Sequence, residues 1–204
     1  MTFMKNLPAC FRLCRVLALL AALGCATAAH AGTFTTAAWT NDASSGLAAG
    51  ATSWAYHFGA TTTPTNNGVP VTGLLGPTAT NVNFDLAGTP FVYLADDPNN
   101  VTNTGNAEVA RRFVFGGNPA TVIVKGLTVG SPYTVSFLSV GFDAPGGRQV
   151  TFTSGPDSLL MDQDQFGDNN GIRVDYTFTA SGDFVLVENL VESFHSDGYQ
   201  SIDV

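Results

Sequence analysis

Beyond residue 25 the sequence has no cysteine: Cys10, Cys14 and Cys25 all fall in the first 25 residues. No disulfide framework can staple the remainder, and thiolate nucleophiles and cysteine-based zinc sites are excluded there. Positive charge is also scarce, with 8 Lys and Arg against 16 Asp and Glu and a net charge of −8. Such a surface repels phosphate backbones and anionic lipid, which argues against nucleic acid or a membrane surface as partner and leaves solubility or attraction for cations. The chain lacks a Gly-x-Ser-x-Gly elbow, a His-Glu-x-x-His helix and a glycine-rich phosphate loop after a strand, so the usual parts of hydrolase, zinc and nucleotide chemistry are missing. After the leader no apolar run approaches the roughly 20 residues that a spanning helix needs.

What is present begins with that leader. Lys5, Arg12 and Arg15 make a positive start, Val16 to Ala22 an apolar run, and Ala29-His30-Ala31 a small-x-small cleavage site, the order of a bacterial-style secretory signal. Cleavage after Ala31 leaves residues 32–204, which is 173 residues with five basic side chains against sixteen acidic and a net charge of −11. This is the size of one domain. The expectation is a secreted protein, extracellular or on the cell surface. Ala22-Leu23-Gly24-Cys25 also resembles a lipoprotein box that would place lipid on Cys25, but Ala22 stands where Leu is usual, and Ala29-His30-Ala31 is the better site.

From residue 32 onward, short runs rich in Thr, Val, Phe and Tyr are separated by Gly, Pro, Asn and Asp clusters, the pattern of an all-β chain. Ile172 to Thr179 alternates apolar and polar strictly, which turns Ile172, Val174, Tyr176 and Phe178 to one buried face. Further strands are expected at 54–58, 91–94, 112–115, 121–125, 133–142, 149–153 and 184–187, with one helical turn at most at 106–110. Ala180-Ser181-Gly182-Asp183 predicts a hairpin between the last two long strands. The loops at 61–68 and 96–106 are not domain linkers, since neither side could form a core alone. The fold class is therefore all-β: a single antiparallel β-sandwich, jelly-roll-like, over 32–204, with its first and last strands near one another.

The stretches Phe113 to Thr121, Gly126 to Val135, Arg148 to Thr153 and Asp162 to Phe178 resemble domains of exported bacterial proteins that carry PEP-CTERM sorting tails. The resemblance implies export and association with surface or exopolysaccharide matrix, and no particular chemistry. The Pro-Glu-Pro signal, apolar helix and basic tail of such proteins have no counterpart before Ser201-Ile202-Asp203-Val204. Either the gene is truncated or the protein is released unanchored. The Gly126 to Val135 segment also looks like strands of jelly-roll carbohydrate-binding modules and fibronectin-type sandwiches.

The stretch DQDQFGDNNG, Asp162 to Gly171, reads as a calcium loop or a turn. Asp162, Asp164 and Gly167 match EF-hand positions one, three and six, but Phe166 fails position five and Arg173 stands where the bidentate Glu belongs. A different calcium site would draw on Asp162, Asp164, Asp168, Asn169, Asn170 and backbone carbonyls, with Ca2+ as the only cofactor the sequence suggests. Equally, Asp and Asn bond their own backbone and tolerate positive φ, so the same residues make a turn without an ion.

Carbohydrate could stack on an exposed aromatic. Trp54, Tyr56 and Phe58 share one strand face and read as core, whereas Trp39, followed by polar Thr40-Asn41-Asp42, and Tyr199 are the candidate platforms. Arg111 and Arg112 form the only adjacent basic pair after the leader, either ion-paired or rimming a site for an anionic polysaccharide. His57 and His195 are the histidines beyond the leader, and His195-Ser196-Asp197 is a sequence-local pairing without catalytic pattern. Asn100-Val101-Thr102 matches a glycosylation sequon, which carries little weight in a bacterial-type export context. Three readings follow: a non-enzymatic extracellular protein that binds carbohydrate or matrix; a structural surface or biofilm protein that associates laterally; and, last, a polysaccharide-degrading enzyme, which would need paired carboxylates in a cleft.

Overall fold

The structure, a computed structural model, describes residues 32–94, 100–102, 104–142, 149–191, 198–199 and 201–204. The leader with its cleavage site and Cys25, and the His195-Ser196-Asp197 segment, lie outside the described residues. Strand β14 (Gly171–Thr179) alternates as its sequence demands, and Ile172, Val174, Tyr176 and Phe178 are all buried. It pairs antiparallel on one side with β1 (Gly32–Trp39) and on the other with β11 (Pro132–Val140).

The sheet continues from β11 through β17 (Ser201–Asp203), β2 (Ala55–Phe58) and β5 (Thr72–Leu74). All these pairings are antiparallel except β2 with β5, which is parallel. A second six-stranded sheet runs β13 (Asp157–Asp162), β12 (Gln149–Ser154), β15 (Phe184–Val191), β10 (Ala120–Lys125), β7 (Phe84–Ala87) and β6 (Ala79–Thr80). The two faces meet in a core of Phe34, Phe58, Phe84, Val122, Val124, Phe137, Val150, Phe152 and Val187 with the β14 stripe. Each such side chain, fully buried, contributes about 1.5–3 kcal/mol. The protein is an all-β sandwich.

Three expectations need correction. The turn at 180–183 does not make a hairpin, because β14 and β15 lie in different sheets. Both edges of β14 are already taken, and the turn's backbone bonds to the neighbouring turn, Ala180 N to Ser131 O at 2.9 Å and Leu127 N to Asp183 O at 2.9 Å. The chain therefore arches from one sheet to the other. The helix is longer than one turn: α1 (Thr104–Arg111) has eight residues. The first and last strands share a sheet, but β14 and β11 stand between them.

Helix α1 matters because it covers the outer face of the first sheet. Val109 and Ala110 of the helix, with Leu47, Val69, Val71 and Val101, pack on Trp39, Ala55, Leu138 and Val140 as a second core. The first sheet is thus buried on both faces at this end. Two short strands, β3 (Thr65–Asn66) and β4 (Val69–Pro70), pair beside the helix. A small three-stranded sheet of β8 (Phe91–Leu94), β9 (Arg112–Phe115) and β16 (Gly198–Tyr199) completes the architecture. Among the described residues no helix is long and apolar enough to cross a membrane.

Candidate functional site: an aromatic sheet face

Strands β8 and β9 pair antiparallel, with Phe91 opposite Phe115, Val92 opposite Val114, Tyr93 opposite Phe113 and Leu94 opposite Arg112. Directly opposed residues share a face, so the register sorts these side chains into two sets. Val114 turns inward and is fully buried. Phe91, Tyr93, Phe113 and Phe115 form the other face, where Phe91 is 56% and Tyr93 55% exposed.

The four rings touch as a cluster. Ring centroids lie 5.4 Å apart for Phe91 and Phe115, 5.7 Å for Tyr93 and Phe113, 6.4 Å for Tyr93 and Phe115, and 5.5 Å for Phe113 and Phe115. Phe142 stacks on Phe113 at 5.7 Å and anchors that ring. The planes are inclined to one another, by 39° for Phe91 and Phe115 and 60° for Tyr93 and Phe113. Contacting aromatics are enriched at recognition surfaces because they offer large area at little conformational cost.

Beside Phe91 and Phe115 the surface sinks into a depression of about 410 Å³ lined by Thr78, Gly88, Thr89, Pro90 and residues 116–119. Gly116, at φ +93°, is required here, since a Cβ would sit 2.6 Å from the Phe91 ring. Exposed apolar side chains also occur elsewhere, Val92 and Leu94 on the reverse face of β8 and Leu160, Phe184 and Leu186 on the second sheet, but of these only Phe184 is aromatic.

The side chains singled out from sequence are placed differently. Trp39, taken as a candidate platform, is a correction: it is fully buried in the second core, and its Nε1 donates to Asn106 Oδ1 at 3.2 Å. The alternation of β1 gave no warning, because the face it turns outward from the main core is covered by α1. Tyr199 falls in β16 opposite Val114. Arg112 is ion-paired, its Nε 3.6 Å from Glu108 Oε1, and its Nη1 donates to Gly59 O at 3.2 Å. Arg111 instead lines a cleft of about 680 Å³ between α1 and residues 62–65, with Thr62, Thr63, Gly105 and Glu108. Trp54 and Tyr56 pack against the main core as expected, and Trp54 stacks on Phe84 at 5.5 Å.

The Asp-rich stretch is built as successive turns. Asp162 Oδ1 accepts from Asp164 N at 2.9 Å, Gly167 N donates to Asp164 O at 2.8 Å, and Asn170 Nδ2 donates to Phe166 O at 2.6 Å. Asp168 Oδ2 accepts from Asn169 Nδ2 at 3.4 Å, and Asn169 takes φ 55°. Among the described residues no three of His, Cys, Asp or Glu come together as a metal site. One side-chain oxygen each of Asp162 and Asp168 and the amide of Asn170 serve the turn. Asp162→Ala should cost about 1 kcal/mol, one hydrogen bond's worth, in thermal unfolding, by the same amount in EDTA as in calcium. A loss confined to the calcium sample would show that the stretch holds the ion.

Near the 62–65 cleft, fully buried His57 approaches the Thr62 carbonyl with Nε2 at 2.8 Å, so that nitrogen carries the proton. Its Nδ1 has no hydrogen-bond partner among the described residues. Burial lowers its pKa, against weaker raising influences from the Thr62 bond and Glu108. The unfolded chain therefore binds a proton that the folded one refuses. This contribution to stability is present above about pH 6.5 and is lost as pH falls through the lowered folded value, at up to about 1.4 kcal/mol per pH unit. Urea midpoints from about pH 7 to about pH 5 should fall more steeply for the natural chain than for His57→Gln, and parallel slopes would refute the assignment.

An all-β sandwich bearing an exposed aromatic sheet face is thus the class that fold and site define. No protein-family model matches the chain. No curated protein matches it either. Among solved structures it is similar to the crystal structure of the ANXUR2 extracellular domain from Arabidopsis thaliana, with a TM-score of 0.52 and 10% sequence identity. That likeness covers 74% of this chain and 48% of the other, so the chain spans about half the length of the structure it matches. At this identity the likeness concerns the fold.

Proposed function

We propose that the protein is a secreted, non-enzymatic protein of the extracellular space or cell surface that binds carbohydrate or polysaccharide matrix across Phe91, Tyr93, Phe113 and Phe115. The observation that carries this reading is the exposure of Phe91 and Tyr93 on a face of four contacting rings. A pyranose presents apolar C–H faces that pack on aromatic rings while its hydroxyls stay at the rim, and the adjoining depression is lined by the polar residues Asn118 and Thr78. The leader and the resemblance to exported, matrix-associated domains support the extracellular part.

The geometry narrows the ligand. Rings inclined by 39° to 84° do not form one plane, so the face suits a single soluble chain better than the flat surface of a crystalline fibre. The net charge of −8 disfavours anionic polymers, and Arg112, the basic residue of these strands, is paired with Glu108. The test is co-sedimentation and affinity electrophoresis with soluble uncharged, crystalline and anionic polysaccharides. Retention by soluble uncharged chains is expected, and no retention across the panel would overturn the reading.

A second reading is favoured by one observation: among the described residues β8 is an edge strand, and an apolar edge is a template for pairing with another chain. Lateral assembly as a structural surface protein predicts a mass that rises with concentration in light scattering, without any glycan.

A further inference from the structure

The backbone nitrogen of Gly32, at the start of β1, lies 2.7 Å from Asp157 Oδ2 in β13, and the same oxygen accepts the Tyr176 hydroxyl at 2.8 Å. Among the described residues Asp157 has no Lys or Arg partner. The carboxylate is partly buried, and two donors face it without a cation. Gly32 is also the first residue after the small-x-small motif Ala29-His30-Ala31. We infer that Gly32 is the N-terminus of the mature protein, and that the ammonium released by leader cleavage is held by Asp157 as an ion pair.

The reaction is hydrolysis of the Ala31–Gly32 peptide bond by a leader-cleaving protease and water. Ala31 leaves with a carboxylate, and the Gly32 nitrogen gains protons to become an ammonium. A hydrogen bond from an uncharged amide to the Asp157 carboxylate thereby becomes an ion pair with both partners charged, which is stronger. Only glycine fits at this position, because a Cβ would come within 2.6 Å of the Tyr176 ring. The location gives the pair its leverage. β1 is the edge of the first sheet and β13 the edge of the second, and the two lie against each other. The new terminus therefore latches the open side of the sandwich, and processing completes the fold.

The titratable groups facing Gly32 are Asp157 from β13 and Tyr176 from β14, whose hydroxyl burial pushes up to about 12. Tyr176 therefore keeps its hydroxyl proton across neutral pH. The terminal amine, ordinarily near 7.7–8.0, is raised by Asp157, so its contribution is full below about pH 7.7 and is lost as pH rises through the raised value.

Mass spectrometry of the exported protein should give a chain beginning at Gly32. A start at Cys25 with attached lipid, or at any other residue, overturns the inference. The mature chain is then compared with the same chain acetylated at Gly32, and both with Asp157→Asn. Acetylation should lower Tm by about 4 °C or more near pH 7 and by less near pH 9.5. In Asp157→Asn the difference between free and acetylated chains should vanish. Equal Tm values for free and acetylated natural chains, or a difference that survives Asp157→Asn, would sink the ion pair.

Discussion

Asn106→Ala is expected to lower stability by roughly 3 kcal/mol or more, which for a domain of this size is a Tm drop of about 6–12 °C. Asn106 is fully buried at the start of α1 and joins three elements. Its Oδ1 accepts from Trp39 Nε1 at 3.2 Å and from Asn66 Nδ2 at 2.6 Å, while its Nδ2 donates to Asp42 Oδ1 at 2.5 Å. Removing the amide strands the indole and Asn66 donors inside the second core, and a buried donor without a partner costs about 1–3 kcal/mol. Asn106→Asp keeps an acceptor for Trp39 and Asn66 but sets a second carboxylate against Asp42. Its loss should be smaller at acid pH, where one carboxyl is protonated, than at neutral pH. Thermal unfolding of both variants at two pH values checks the network, and a near-neutral Asn106→Ala would show that α1 docks by apolar contact alone.

The largest functional effect is expected at the aromatic face. Phe91→Ala and Tyr93→Ala should each weaken binding of a soluble uncharged glycan by about 30-fold, the loss of a residue worth about 2 kcal/mol, with little change in Tm because both rings are more than half exposed. Phe113→Ala should weaken binding and also destabilise, because Phe113 supports Tyr93, Phe115 and Phe142. Leu160→Ala, equally exposed on the second sheet, serves as the control and should change nothing. Titration calorimetry separates these outcomes. If the three face variants bind like the natural chain, the face is not the glycan site.

The strands were largely legible because each carries its own evidence. In β14 the alternation of Ile172, Val174, Tyr176 and Phe178 is a local property, and burial follows it. Pairing is not local. Nothing in Ala180 to Asp183 records that β1 and β11 already occupy both edges of β14, so a turn sequence was read as a hairpin where the chain crosses between sheets. Trp39 was misplaced for a related reason: whether the outer face of a sheet is covered depends on a helix some 65 residues away.

The aromatic face leaves a trace in the sequence. Phe91 with Tyr93, and Phe113 with Phe115, are aromatics at i and i+2 on two predicted strands, and a pair of such strands in register makes a platform. Register is what the sequence does not give, since a shift by one residue would move two of the four rings to the opposite face. The Asp-rich stretch was ambiguous by nature, as the oxygens that would hold calcium are those that close a turn.

The position of β17 bears on when this protein can fold. Ser201 to Asp203 form neither an edge nor a tail; they lie inside the first sheet, bonded to β11 on one side and β2 on the other. β1 must likewise find β14 across most of the chain. With β1 waiting for residues 171–178 and the seam between β11 and β2 waiting for residues 201–203, the first sheet cannot close until all three segments are available. Such non-local pairing makes folding slow. A sheet that must wait for strands so far apart in sequence leaves its unpaired strand edges exposed for longer during folding.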